Sequence, residues 1–256
     1  MNKKNLILIF TFAVIISILS INVYASENQI YVNNNGVELT SKEYEFINTF
    51  YGNNYFENMT QEDYDWIAVL DINNNEVYYD VLYDNNKLSF ENLSMFANAS
   101  INGTIHQTNS KRLAIAKTCD AVKCNILTNL TWLTNPTIRS YDVIGARFSG
   151  TSLYNNSITT KVKSSSGVTY YSNNRFLSNG FGTSVKLPTS STNIIIEQSF
   201  YTNLGGSIYS SYQHATSNIS LANSFLYTIT SSGYGKVFNF YGNALNVYDG
   251  MGGVDI

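Results

Sequence analysis

The chain carries two histidines, His106 and His214. His214 closes the run Ser210-Ser211-Tyr212-Gln213-His214, which sets candidate nucleophiles close to a candidate general base. A Ser-His-Asp relay also needs a carboxylate on the second ring nitrogen, and Asp142 or Asp249 could orient the imidazole. Nothing in the spacing selects these residues over other polar sets. Cleavage of a glycosidic bond would need two carboxylates facing each other across a cleft. The later part of the chain offers Asp120, Asp142, Glu197, Asp249 and Asp255 for that pair. The motifs GxSxG, HExxH and GxxxxGK[ST] do not occur. Catalysis by a carboxylate pair or by His214 therefore stands as the alternative, and the sequence leans away from an enzyme.

Binding needs fewer coincidences. Aromatic rings on a sheet face stack on sugar rings, and their hydroxyls bond to sugar hydroxyls. Tyr170, Tyr171, Tyr209, Tyr212 and Tyr234 are the candidate ligand-binding residues. Core or cross-strand packing competes for the same side chains. Metal chemistry finds little support. Asp71-Ile72-Asn73-Asn74-Asn75 begins like a calcium loop, but Glu76 and Leu82 stand where that loop needs Gly and Glu. Cys119 and Cys124 are spaced too widely for a zinc knuckle and pair more naturally with each other. No cofactor is implied.

The N-terminus decides the compartment. Lys3 and Lys4 precede an apolar run from Leu6 to Ile21, and Val23-Tyr24-Ala25 follows. That order predicts a signal peptide over residues 1–25, cleaved after Ala25. The expectation is a secreted, extracellular protein with no membrane anchor after cleavage. Export favours the disulfide. It also argues against nucleic acid, as does the scatter of basic residues, among which only Lys111 and Arg112 are adjacent in the second half.

Charge divides the rest. Glu27 to Glu91 holds 13 acidic residues against two basic ones, whereas Asn92 to Ile256 holds five acidic against 11 basic. The asymmetry predicts a small acidic α+β unit over 26–91, a linker or crossover over 92–116 and a β-sandwich over 117–256. Opposite charge also raises docking of acidic 27–91 on basic 92–256.

Within the acidic part, Leu39-Thr40 to Ile47 is echoed by Met59-Thr60 to Ile67. Each Thr followed three residues later by an acid is a capping box, with an apolar staple residue just before it. Two short helices are predicted, over 41–51 and 61–68. A β-hairpin or meander is expected after them, from Trp66–Ile72, Glu76–Tyr83 and Lys87–Phe90. Beyond the cysteines, short strand-like runs recur with Asn, Gly and Ser turns between them. That rhythm predicts an antiparallel sandwich or jelly roll. Ser- and Thr-rich alternation in Ile194–Tyr201 and Ser217–Thr230 keeps a β-hairpin membrane-active protein as a second alternative.

Residues Trp132-Leu133-Thr134-Asn135-Pro136-Thr137-Ile138-Arg139-Ser140-Tyr141-Asp142-Val143-Ile144-Gly145 resemble a segment of uncharacterised exported proteins of low-GC Gram-positive bacteria, as does Ser211-Tyr212-Gln213-His214-Ala215. The resemblance implies a secreted β-rich protein and assigns no activity. The favoured reading is a secreted, mainly β protein that binds an extracellular glycan or cell-envelope surface without catalysis.

Overall fold

A computed structural model describes residues 29–83, 100–231 and 237–256. The chain divides into two compact units, one ending at Ala68 and the other beginning at Val69.

In the first unit, β1 (Ile30–Val32) pairs antiparallel with β2 (Glu38–Thr40). Two helices follow, α1 (Ser41–Tyr51) and α2 (Gln61–Ala68). Both capping boxes form. The Glu43 carboxylate accepts from Thr40 N at 2.8 Å, and the Thr40 hydroxyl accepts from Glu43 N at 3.3 Å. Asp63 and Thr60 repeat the exchange at 2.9 and 3.3 Å. Each box satisfies amides that a helix start leaves without partners. Leu39 and Met59, the staple residues, are buried, as are Phe46, Ile47, Phe50 and Ile67. Gly52 ends α1 at a positive φ of 95°, where a Cβ would be strained.

The second unit is built from two sheets. The larger has seven strands in the order β3-β4-β5-β6-β12-β8-β9, and the smaller has five in the order β10-β11-β7-β13-β16. The larger comprises β3 (Glu76–Tyr83), β4 (Ser100–Gln107), β5 (Lys111–Cys119), β6 (Lys123–Trp132), β8 (Thr159–Ser164), β9 (Gly167–Tyr171) and β12 (Ile195–Asn203). The smaller comprises β7 (Tyr141–Ser149), β10 (Asn174–Leu177), β11 (Gly180–Lys186), β13 (Ser207–Ala215) and β16 (Tyr248–Asp255). All pairings are antiparallel except β3 with β4.

One apolar core draws alternate residues from both sheets. Leu113, Ile126, Leu130, Ile196 and Phe200 come from the larger, and Ile144, Phe148, Phe181, Val185 and Ile208 from the smaller. Two sheets sharing one core in this way form a sandwich. A second cluster covers the opposite face of the smaller sheet. There Tyr227, Val237 and Phe238, from the hairpin β14 (Tyr227–Ile229) and β15 (Phe238–Phe240) and its lead-in, pack with Val143 and Tyr248.

Several expectations are corrected. The 92–116 segment is not a linker in its described part, because β4 and β5 lie inside the larger sheet. β5 is an apolar, doubly buried strand that dispersed polar neighbours disguise. The acidic unit does not extend to residue 91, since β3 joins the larger sheet of the second unit. Trp66–Ile72 is not a strand, because the Thr60 cap commits the chain to helix through Ala68. Ile219–Tyr227 holds the short helix α3 (Leu221–Ser224), started by Ser220, whose hydroxyl accepts from Asn223 N at 3.2 Å. Lys87–Phe90 lies outside the described residues.

Cys119 and Cys124 face each other in the β5–β6 hairpin and form a disulfide. Asp120 already fixes that turn by accepting from Val122 N at 2.7 Å and Lys123 N at 2.8 Å. Those amides hold its carboxyl below the usual range, the Lys123 bond most. The cysteines are only five positions apart. The chain-entropy relation then gives about 2 kcal/mol, against about 4.7 kcal/mol for a 100-residue loop. Replacing both cysteines by serine should lower unfolding free energy in urea by that modest amount and leave the fold intact.

Candidate functional site

The chemistry-bearing residues gather at one end of the sandwich, between its sheets. Antiparallel register puts Lys111 opposite Trp132 at the matching ends of β5 and β6. On the facing sheet, register puts His214 of β13 opposite Asp249 of β16. Asp142, near the start of β7, alternates in step with the core residue Ile144 and so points between the sheets.

Asp142 is fully buried and is the hub. Its oxygens accept from the Tyr212 hydroxyl, from His214 Nδ1 at 3.0 and 3.2 Å, and from Ala215 N at 2.9 Å. Three donors on two oxygens suit a carboxylate, which only accepts. Burial raises the Tyr212 hydroxyl well above its ordinary pKa, and the charge of Asp142 adds to that. Tyr212 therefore stays a donor to Asp142 and accepts from Trp132 Nε1 at 3.1 Å, which ties the two sheets together. Tyr248 is raised for the same leading reason, burial, with Asp142 second.

This arrangement fixes the imidazole. With Asp142 on Nδ1, the neutral form of the ring carries its proton on that nitrogen and has its lone pair at Nε2. The Trp132 ring meets the imidazole edge-on at 4.7 Å. His214 keeps 12% of its side-chain surface in solvent, while Asp142 keeps none. The Lys111 ammonium lies 5.4 Å from the Trp132 ring centre and 5.9 Å from that of Tyr212. It pairs with Asp249 at 3.7 Å; the Lys111 side chain is 7% exposed and that of Asp249 66%. A partly exposed base, a buried cation and an exposed acid thus gather at this end of the sandwich.

The sequence candidates fall in different places. Asp142, rather than Asp249, orients His214. Neither Ser210 nor Ser211 completes a relay, because Ser210 bonds to Thr128 and Ser211 donates to the Met251 carbonyl, and both are buried. Nor do the described carboxylates form an acid–base pair. Glu197 is buried against Lys161 at 3.1 Å, and Asp120 holds its turn. His106 lies on β4, opposite Leu113 of β5 and so on the strand next to that of Lys111.

The tyrosines do not assemble into one face. Tyr170 is 56% exposed on the edge strand β9. Tyr171 donates to the Lys186 carbonyl and packs on the core. Tyr209 stacks under Arg147, 4.0 Å from its guanidinium carbon. Tyr212 is wholly buried, so it serves the Asp142 network and cannot stack on a ligand. Tyr234 and the cleavage position Ala25 lie outside the described residues.

Lys111 and Trp132 were missed as site residues. The disulfide was the available signal. Once Cys119 pairs with Cys124, residues equally far back along each strand must also pair, and Lys111 then falls opposite Trp132. Among the described residues, no helix is long and apolar enough to cross a membrane. Nor do three or more His, Cys, Asp or Glu side chains among them gather to hold a metal ion. Searches of protein-family models, curated proteins and solved structures returned no match to this chain.

Proposed function

We propose that this chain is an exported β-sandwich protein that binds a glycan or another cell-envelope ligand at the His214–Lys111 end of its second unit. The observation that carries the reading is the fixed, partly exposed imidazole of His214, held by a buried carboxylate and set beside a cation and an exposed acid. A preset donor–acceptor group at one end of the sandwich suits a polyhydroxylated or anionic ligand, because its side chains need little further ordering on binding. The order of charged, apolar and small residues in the first 25 positions supports export.

An array of glycans and cell-envelope polymers tests the reading. Ligands that bind should lose about tenfold or more in affinity with His214→Ala or Lys111→Ala, as for a hydrogen bond to a charged group. Tyr170→Ala, on a separate edge strand, should bind as the parent does. An array without hits, or hits that ignore both substitutions, would remove the proposal.

A further inference from the structure

The same site, if it is the functional one, has the parts of a hydrolase that uses water instead of a serine. We infer that His214 is the general base of an esterase acting on a carboxylic ester, with Asp142 as its positioning residue and Lys111 facing the developing negative charge.

The argument starts at the imidazole. Nδ1 is committed to Asp142, and among the described residues nothing hydrogen-bonds to Nε2. The ring cannot turn freely, since Trp132 packs against it at 4.7 Å and Asp142 accepts from Ala215 N on the same strand. A fixed base with an uncommitted ring nitrogen and part of its ring in solvent is what abstraction of a proton from water requires. An acyl-enzyme on Ser210 or Ser211 is not available, because both are buried and bonded elsewhere.

A single imidazole also selects the reaction. In-line displacement at a phosphodiester places the attacking and leaving oxygens on opposite sides, so it calls for a base and a separate acid. Acyl hydrolysis passes through a tetrahedral intermediate, and one histidine can take the proton and return it. Water loses a proton to Nε2 as its oxygen bonds to the ester carbon, and the carbonyl oxygen becomes an oxyanion. The Lys111 ammonium supplies the opposite charge there. As the intermediate collapses, the bond to the alcohol oxygen breaks. Protonated His214 gives its proton to that oxygen, leaving a carboxylic acid and an alcohol. No oxidant, metal or second nucleophile is needed.

The presence of only two histidines supplies an internal control. With p-nitrophenyl acetate as the probe, His214→Gln should lower kcat by about 10²- to 10⁴-fold, the usual contribution of a general base. His106→Gln should leave kcat unchanged. Asp142→Asn offers an amide donor to Nδ1, which reverses the tautomer. It should lower kcat by a similar factor while KM holds, and the imidazole nitrogen shifts in NMR should show the proton moved to Nε2. Near-UV circular dichroism confirms that each variant is folded. Equal losses in the two histidine variants, or no turnover above that of His214→Gln, would overturn the inference. If turnover is absent while His214-dependent glycan binding persists, the catalytic inference falls and the binding proposal stands.

Discussion

Asp142→Ala should destabilise the protein by about 3–5 kcal/mol, the cost typical of removing one partner from a buried charged network. The substitution removes the shared acceptor of three donors: the Tyr212 hydroxyl, His214 Nδ1 and Ala215 N. Tyr212 and Ala215 are fully buried, so water cannot replace the lost carboxylate without opening the sandwich. Each buried donor left unmet costs about 1–3 kcal/mol. The comparison with single partners makes the test specific. Tyr212→Phe keeps the ring and deletes one donor, together with the acceptor for Trp132 Nε1. His214→Ala deletes a partly exposed ring whose site can refill with water. Each of these should cost less than Asp142→Ala. Urea midpoints for the three variants decide the matter, and a loss below about 1 kcal/mol for Asp142→Ala would mean that the carboxylate does not hold this end together.

Much of the architecture follows from local chemistry. Two capping boxes and the glycine after α1 are signals that neighbouring residues satisfy among themselves, so the predicted helices and the observed ones coincide. Strands after the cysteines carry turn residues at their ends and were legible for the same reason. The strands that were not legible depend on distant partners. β3 acquires its place by lying parallel to β4, which no hairpin signal announces. β16 reads as a polar, glycine-rich tail, Tyr248-Asp249-Gly250-Met251-Gly252-Gly253-Val254-Asp255, and becomes a strand because β13 offers it an edge.

The site shows the same division. His214 and Asp142 stood out by residue type, yet 72 positions separate them. Their meeting depends on β7 and β13 being neighbours in the smaller sheet, which only the whole topology decides. Tyr212 was misplaced because exposure and burial alternate along a strand, and the sequence does not say which face is covered. Both faces of β13 are largely covered, by the shared core on one side and the C-terminal hairpin cluster on the other.

Gly145→Ala should be the most damaging conservative change in the smaller sheet. Its backbone conformation is ordinary, so the constraint is space. A Cβ at this position would lie 2.2 Å from the Phe181 carbonyl oxygen and 2.7 Å from the Gly182 Cα. Both are main-chain atoms, so no side chain can swing aside to make room. Gly145 and Gly182 face each other between β7 and β11. The Tyr227 and Phe238 rings close over that thin place, and a Cβ on Gly182 would lie 2.5 Å from the Tyr227 hydroxyl and 2.9 Å from the Phe238 ring. Overfilling a packed interior costs about 1–3 kcal/mol when side chains can adjust. Here the backbone itself must move, and the loss should reach or exceed the top of that range. Gly205→Ala is the contrasting case. It has a positive φ of 83° and nothing within 4 Å of a new Cβ, so it pays only for its backbone angle, about 1–2 kcal/mol. The consequence reaches the candidate site, because β7 carries both Gly145 and Asp142. Separating β7 from β11 should shift Asp142 away from His214, so the tryptophan fluorescence of Trp132 should change along with the urea midpoint. Equal, small losses for Gly145→Ala and Gly205→Ala would show that the two strands can part at little cost.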